Sequence, residues 1–228
     1  MGNRAVITYA DYSIGYDEEK REPIYESNEF IDKSHRVGIY LHWNGGYDSV
    51  HAFLEYCKLQ EFRCDSYGIA RLAQVISNFF GGGLSIGVDQ CCRLDCDNYD
   101  NGVYLVRDWN IVDRKCYDGP EQDTYNLYEF MEDVNDTQPV KMRIPKEVIW
   151  SREVKAGDLN VGDTFYHFDY LSEGYKLETV KELPEHEEGK RVNGSDIYDL
   201  VYFGDRPTNP NDYVRKTDTV RVPMKKED

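Results

Sequence analysis

One run, Arg36 to Lys58 (RVGIYLHWNGGYDSVHAFLEYCK), does most to limit what this chain can fold into. Val37, Ile39 and Leu41 alternate with Gly38, Tyr40 and His42, the period-two pattern of a strand. Asn44, Gly45 and Gly46 interrupt it with backbone that tolerates positive φ. Asp48 or Ser49 can then cap a helix whose apolar side carries Val50, Phe53, Leu54 and Cys57. The predicted unit is strand, glycine turn, helix, and such a turn can place an anion at a helix N-terminus.

Around it, Arg4–Tyr9 (RAVITY) reads as a first strand, expected to pair antiparallel with residues 37–43. Residues 11–36 are polar and charged and read as an exposed excursion, a long hairpin connection. Ser66–Phe80 is the strongest helix signal, with Ile69, Leu72, Ala73, Ile76 and Phe80 on one side, Asp65 or Ser66 as cap, and Gly81, Gly82 and Gly83 ending it. Strands are predicted at Leu84–Val88, Val103–Val106 and Asn110–Val112, and a third helix over Asp123–Asn135 with Leu127, Tyr128, Met131 and Val134 inward. The expected class is α+β: residues 1–136 form an antiparallel sheet with two or three helices, and 137–145 a linker bracketed by Pro139 and Pro145. Residues 146–228 form a smaller β-rich domain with a disordered tail, PMKKED.

With 228 residues, the chain is long enough to bury a sizeable core. Its net charge of -16 disfavours direct nucleic-acid binding through a broad basic face. Together with 19 tyrosines, that charge suits contact with a basic protein, because aromatic anchors dominate interfaces and opposite charge speeds encounter. Solubility alone also explains an acidic chain. The densest acidic run, residues 121–136, has six acids and no Lys or Arg. Glu121, Asp123, Glu129, Glu132, Asp133 and Asp136, with Tyr125 and Tyr128 as aromatic anchors, are the candidate partner-binding residues. A solvated helix face is the plain alternative. No apolar run reaches the roughly 18 residues of a membrane span. The opening residues carry neither an apolar leader core nor a myristoylation pattern, so the expected compartment is the cytoplasm.

Other chemistry has weaker signals. Cys91, Cys92, Cys96 and Cys116 lack paired C-x₂-C spacing, and the five histidines lack HExxH spacing, so no metal or cofactor is expected. An EF-hand loop started at Asp97 would place Tyr99 at a ligand position, so the 95–102 run reads as a polar turn. Neither a nucleophile elbow nor a local Cys/His signature is present.

The segment Asn44-Gly45-Gly46-Tyr47-Asp48-Ser49 resembles the SGGxDS signature of the PP-loop ATP pyrophosphatases, with Asn44 in place of the leading serine. That resemblance covers about twenty residues. It implies a nucleotide or pyrophosphate site at Asn44, Gly45, Gly46, Asp48 and Ser49. Over the first half, NRAVIT, GIYLHWNGG, the Tyr67–Arg71 helix start and NGVYLV resemble uncharacterised proteins of phages and mobile elements of gut-type bacteria. This resemblance implies an accessory role, such as inhibition of a host defence enzyme in the manner of acidic anti-CRISPR proteins. A nucleotide-binding enzyme and a structural phage protein are the alternatives.

Overall fold

A computed structural model describes residues 3–82, 86–122, 124–170, 172, 174–182, 191–192, 195–196, 199–205 and 209–224. The chain is α+β and divides into two units, Met1–Arg143 and Ile144–Asp228.

The first unit is built on a five-stranded sheet in the order β5-β4-β1-β6-β7. Its strands are β1 (Ala5–Tyr9), β4 (Val37–Leu41), β5 (Ile86–Gln90), β6 (Val103–Arg107) and β7 (Asn110–Lys115). β1 is central, and its continuous apolar run reflects burial on both faces: Ala5, Val6 and Ile7 are at most 2% exposed. It pairs antiparallel with β4, Ile7 opposite Ile39, as the sequence leads one to expect. It pairs parallel with β6, Ile7 opposite Tyr104, so the sheet is mixed rather than purely antiparallel. The cause is the connection. β5 pairs antiparallel with the far side of β4 and so runs in the same direction as β1, and residues 91–102 then return to the start of β1, where Val6 N–H donates to Gly102 O, before β6 begins.

That return segment and residues 26–36 cover one face, where Ile31, Cys91 and Cys96 bury Val6, Val103 and Leu105. Fully buried Asn98 shapes the predicted 95–102 turn. Its Oδ1 accepts from the backbone N–H groups of Asp100, Asn101 and Gly102, and its Nδ2 donates to Asp95 O and Gly102 O. Helices α1 (Tyr47–Leu59), α2 (Ser66–Phe79) and α3 (Leu127–Thr137) meet in an aromatic cluster: Phe53 and Phe79 are 5.3 Å apart edge-on, and Phe79 stacks on Phe130 at 5.7 Å. Asp65 caps α2 by accepting from Tyr67 N–H and Gly68 N–H. Gly81 and Gly82, both at positive φ, close it, with Gly81 N–H on Asn78 O.

Arg36 shows what fixes the excursion between β1 and β4. Its guanidinium is 1% exposed and donates to the backbone oxygens of Tyr9, Ala10, Glu26 and Ser27, to Asn28 Oδ1, and to Ser34 Oγ and Glu26 Oε2. A buried charge is tolerated only when so fully paired. From this clamp projects a two-stranded ribbon, β2 (Ser13–Asp17) and β3 (Glu22–Tyr25), so the exposed connection expected over residues 11–36 carries strands that its sequence pattern does not announce.

The 137–145 stretch is ordered where it leaves α3. Gln138 is buried and its Nε2 donates to Val75 O and Val134 O, while Met142 O lies 2.9 Å from the Tyr56 hydroxyl. The unit boundary, between Arg143 and Ile144, falls inside it.

The second unit opens with a short helix, α4 (Lys146–Ile149), and is otherwise β-rich. β8 (Ser151–Lys155), β9 (Thr164–Asp169), β10 (Gly174–Thr179) and β15 (Thr219–Pro223) form an antiparallel sheet in the order β10-β9-β15-β8. Two further pairs, β11 (Arg191–Val192) with β12 (Ser195–Asp196) and β13 (Leu200–Tyr202) with β14 (Tyr213–Arg215), stand outside that sheet. Phe165, Phe203, Val201, Val220 and Val222 make its core. The last four residues of the PMKKED tail lie outside the described residues.

Candidate functional site

The glycine turn lies at the start of β1. Asn44 sits in the left-handed region (φ 52°), and Gly45 follows it into close contact with β1. A Cβ on Gly45 would come within 2.7 Å of the Ala5 Cβ and of the Arg4–Ala5 backbone, so this position needs glycine for packing. Gly45 is held at both ends: its N–H donates to Asn3 O (2.8 Å), and its carbonyl accepts from the Tyr104 hydroxyl (3.0 Å). Gly46 caps α1 in extended conformation, and Asp48 folds back onto the first turn. Asp48 Oδ1 accepts from Ser49 N–H (2.7 Å) and Ser49 Oγ–H (3.1 Å), and it stands 2.7 Å from where a Gly46 Cβ would be. The structure therefore brings Asn44, Gly45, Gly46, Asp48 and Ser49 together. The carboxylate at this helix N-terminus is the chain's own, and it takes the favourable anion position for itself.

His51, one turn further along α1, faces the 121–136 segment. Its Nδ1 shares a hydrogen bond with the Tyr125 hydroxyl, and Tyr47 lies edge-on to Tyr125 at 6.1 Å. Burial holds the His51 imidazole below its ordinary value despite nearby Glu55, and burial pushes Tyr125 up to about 12. His42 turns elsewhere, edge-on to Trp43 at 5.0 Å.

The predicted partner-binding residues separate by environment. Glu129 and Asp133 are exposed on α3, and so is Asp136 at its end; Glu132 and Tyr128 are half-buried. The helix begins four residues later than its sequence pattern suggests, because the Asn126 side chain supplies the cap to Glu129 N–H. Glu121 lies ahead of the helix and accepts from Arg114 Nη1 (2.5 Å). That guanidinium is stacked 3.5 Å over the Tyr117 ring and 4.3 Å over Tyr104. Tyr125 faces His51, and Asp123 lies outside the described residues.

Sequence reasoning missed the β2–β3 ribbon as a candidate surface, because its apolar residues are scattered singly among charges. Ile14, Tyr16, Ile24 and Tyr25 are 61%, 53%, 45% and 54% exposed, and every residue from Glu18 to Tyr25 is exposed. Tyr16 opposes Pro23 and Gly15 opposes Ile24, so apolar side chains stand on both faces of the ribbon. Residues 11–29 hold seven acids and two bases. An isolated hairpin is marginal in water, and this one carries exposed apolar residues on both its faces.

The cysteines are free thiols, with Cys57, Cys91 and Cys96 buried. Burial raises Cys57, and the two neighbours Cys91 and Cys96 move apart, Cys91 down and Cys96 up, through the hydrogen bond they share. Among the described residues no three His, Cys, Asp or Glu side chains converge as a metal site, and no helix is long and apolar enough to cross a membrane. Comparison with family models, with curated proteins and with solved structures finds no match to this chain.

Proposed function

We propose that this chain is a non-enzymatic, acidic interaction protein that binds a basic, nucleic-acid-binding protein and blocks it by covering its basic surface. The observation that carries this reading is the β2–β3 ribbon, which exposes Ile14, Tyr16, Ile24 and Tyr25 on both faces within an acidic segment. The apolar and aromatic side chains supply contact area, and the surrounding carboxylates select a basic partner and speed its approach. The exposed acids of α3, Glu129, Asp133 and Asp136, add to the same field. A second copy of the chain is a poor occupant of the ribbon, because each copy carries a net charge of -16. The resemblance of the first half to phage and mobile-element proteins directs the search to host defence enzymes that handle nucleic acid.

The test is differential capture from nuclease-treated bacterial lysate, read by mass spectrometry at low and high salt. Three full-length baits are compared: the natural chain, a ribbon variant (Ile14→Ser, Tyr16→Ser, Ile24→Ser, Tyr25→Ser) and a helix variant (Glu129→Lys, Asp133→Lys). The expected result is a basic protein held by the natural chain at low salt, released at high salt and absent from the ribbon variant. Equal capture by the natural chain and the ribbon variant, or no basic protein at all, overturns the reading.

A further inference from the structure

The opposite end of β1 from the glycine turn holds a cavity of about 310 Å³. That is at the lower end of the range for small-molecule sites, roughly 300–1,000 Å³. It opens beside the carboxyl ends of β1 and β6, the parallel pair, where open sheets tend to place ligands. Tyr9, Val37, Ile69 and Val106 give it an apolar interior, with Cys64 beside them. The Tyr9 hydroxyl is buried beside the Cys64 thiol and, among the described residues, has no oxygen or nitrogen partner.

The inner wall is held at a cost in backbone strain. The β6–β7 turn puts both central residues, Asp108 and Trp109, at positive φ (48° and 62°). An aspartate tolerates this, whereas a tryptophan rarely adopts it. Trp109 is kept there by burial, by its Nε1–H donating to Phe62 O (2.7 Å), by its backbone N–H on Cys64 Sγ (3.4 Å), and by edge-on packing against Tyr9. The same turn sets Asp108 in the cavity lining.

The charges around the cavity are already matched, with one exception. Arg36 is saturated by its seven acceptor groups. Asp11 takes both Nε and Nη2 of Arg107, and Asp65 pairs with Arg63 while capping α2. Among the described residues, only the Asp108 carboxylate in this lining makes no hydrogen bond or ion pair; it is exposed at the rim, with Arg107 the cation that acts on it. We infer that the cavity binds a small organic cation with a flat apolar body, the ring system lying against Tyr9, Val37, Ile69 and Val106 and the ammonium group on Asp108. The strongly acidic chain favours the same sign of ligand by enriching cations and excluding anions.

Amide NMR titration of the full chain with tryptamine, indole and indole-3-propionate tests this inference. Tryptamine is expected to shift residues 9, 37, 69 and 106–108 saturably at millimolar concentration, with indole weaker and the propionate weakest. Asp108→Asn, which suits the left-handed backbone equally well, should weaken tryptamine about fivefold and leave indole unchanged. Ile69→Trp, which fills the cavity, should abolish both. Shifts at these residues for none of the probes overturn the site. Equal affinity for tryptamine and the propionate, or an unchanged tryptamine affinity in Asp108→Asn, overturns the choice of a cation.

Discussion

The β2–β3 ribbon and helix α3 are both acidic and both rich in aromatic residues, yet they use those residues in opposite ways. In and just before α3 the aromatic side chains turn inward: Phe130 stacks on Phe79, and Tyr125 meets His51 and Tyr47. In the ribbon Tyr16 and Tyr25 stand in solvent, with Ile24 exposed on the opposite face. The two segments have a similar density of acids and differ in what lies behind them. α3 has a helical apolar stripe, with Met131 and Val134 buried, that docks on α1 and α2; the ribbon has no stripe and is fastened at its base, by Arg36, by the Asp11–Arg107 pair and by the Ser34–Glu26 hydrogen bond. Acidic and aromatic composition therefore does not identify an interface; a surface is available for binding only where packing has not already used the aromatic side chains.

The largest expected effects concern stability. Arg36→Met removes the cation that the carbonyls of Tyr9, Ala10, Glu26 and Ser27 share, and should cost about 3–5 kcal/mol in denaturant unfolding. Met131→Ala in α3 should cost about 2–5 kcal/mol by opening a cavity, whereas Tyr16→Ser in the ribbon should stay within about 0.5 kcal/mol. A ribbon substitution as costly as Met131→Ala would mean that the ribbon is part of the core, and the comparison would fail.

Smaller effects sharpen it. Tyr125→Phe removes the hydrogen bond to His51 and should cost about 1 kcal/mol with no change in partner capture. The reverse pattern, unchanged stability with lost capture, would make Tyr125 an interface anchor.

Acid should separate the two regions. Burial lowers His51, so the unfolded chain takes up that proton more readily; the stability this gives at neutral pH should begin to fall as pH drops below about 6.5 and continue falling through the lowered folded value. At the ribbon's base, the Arg107 hydrogen bond holds Asp11 low. Partial burial acts to raise Glu26, but the Ser34 hydrogen bond and Arg36 outweigh it and hold it low too. Their contribution should persist to about pH 4 and be lost below it. Hydrogen exchange followed against pH should therefore loosen the α1–α3 contact before the ribbon's base.

The local signals in the first unit were legible. The alternation from Val37 to Leu41 and the 66–80 stripe yielded β4 and α2 because each carries a period that only one kind of element satisfies, and RAVITY yielded β1 as a short apolar run rich in β-branched residues. The parallel β1–β6 pairing was not legible, since it depends on where the 91–102 segment returns, and no local period encodes that. The glycine turn was legible as a turn, but its use was not. Gly45 proved to be glycine because Ala5, forty positions earlier, lies against it. The cavity was invisible for the same reason, as Tyr9, Val37, Ile69 and Val106 come from four separate elements.

The most direct test of the central claim is site-specific photocrosslinking. A photoreactive residue replaces Tyr16 in one full-length chain and Asp133 in another, and each is illuminated in nuclease-treated lysate at low and high salt. The account predicts that the probe at position 16 crosslinks one basic protein, that high salt abolishes the crosslink, and that the probe at position 133 gives little or none. A crosslink to a basic protein from position 133 with none from position 16 would contradict it.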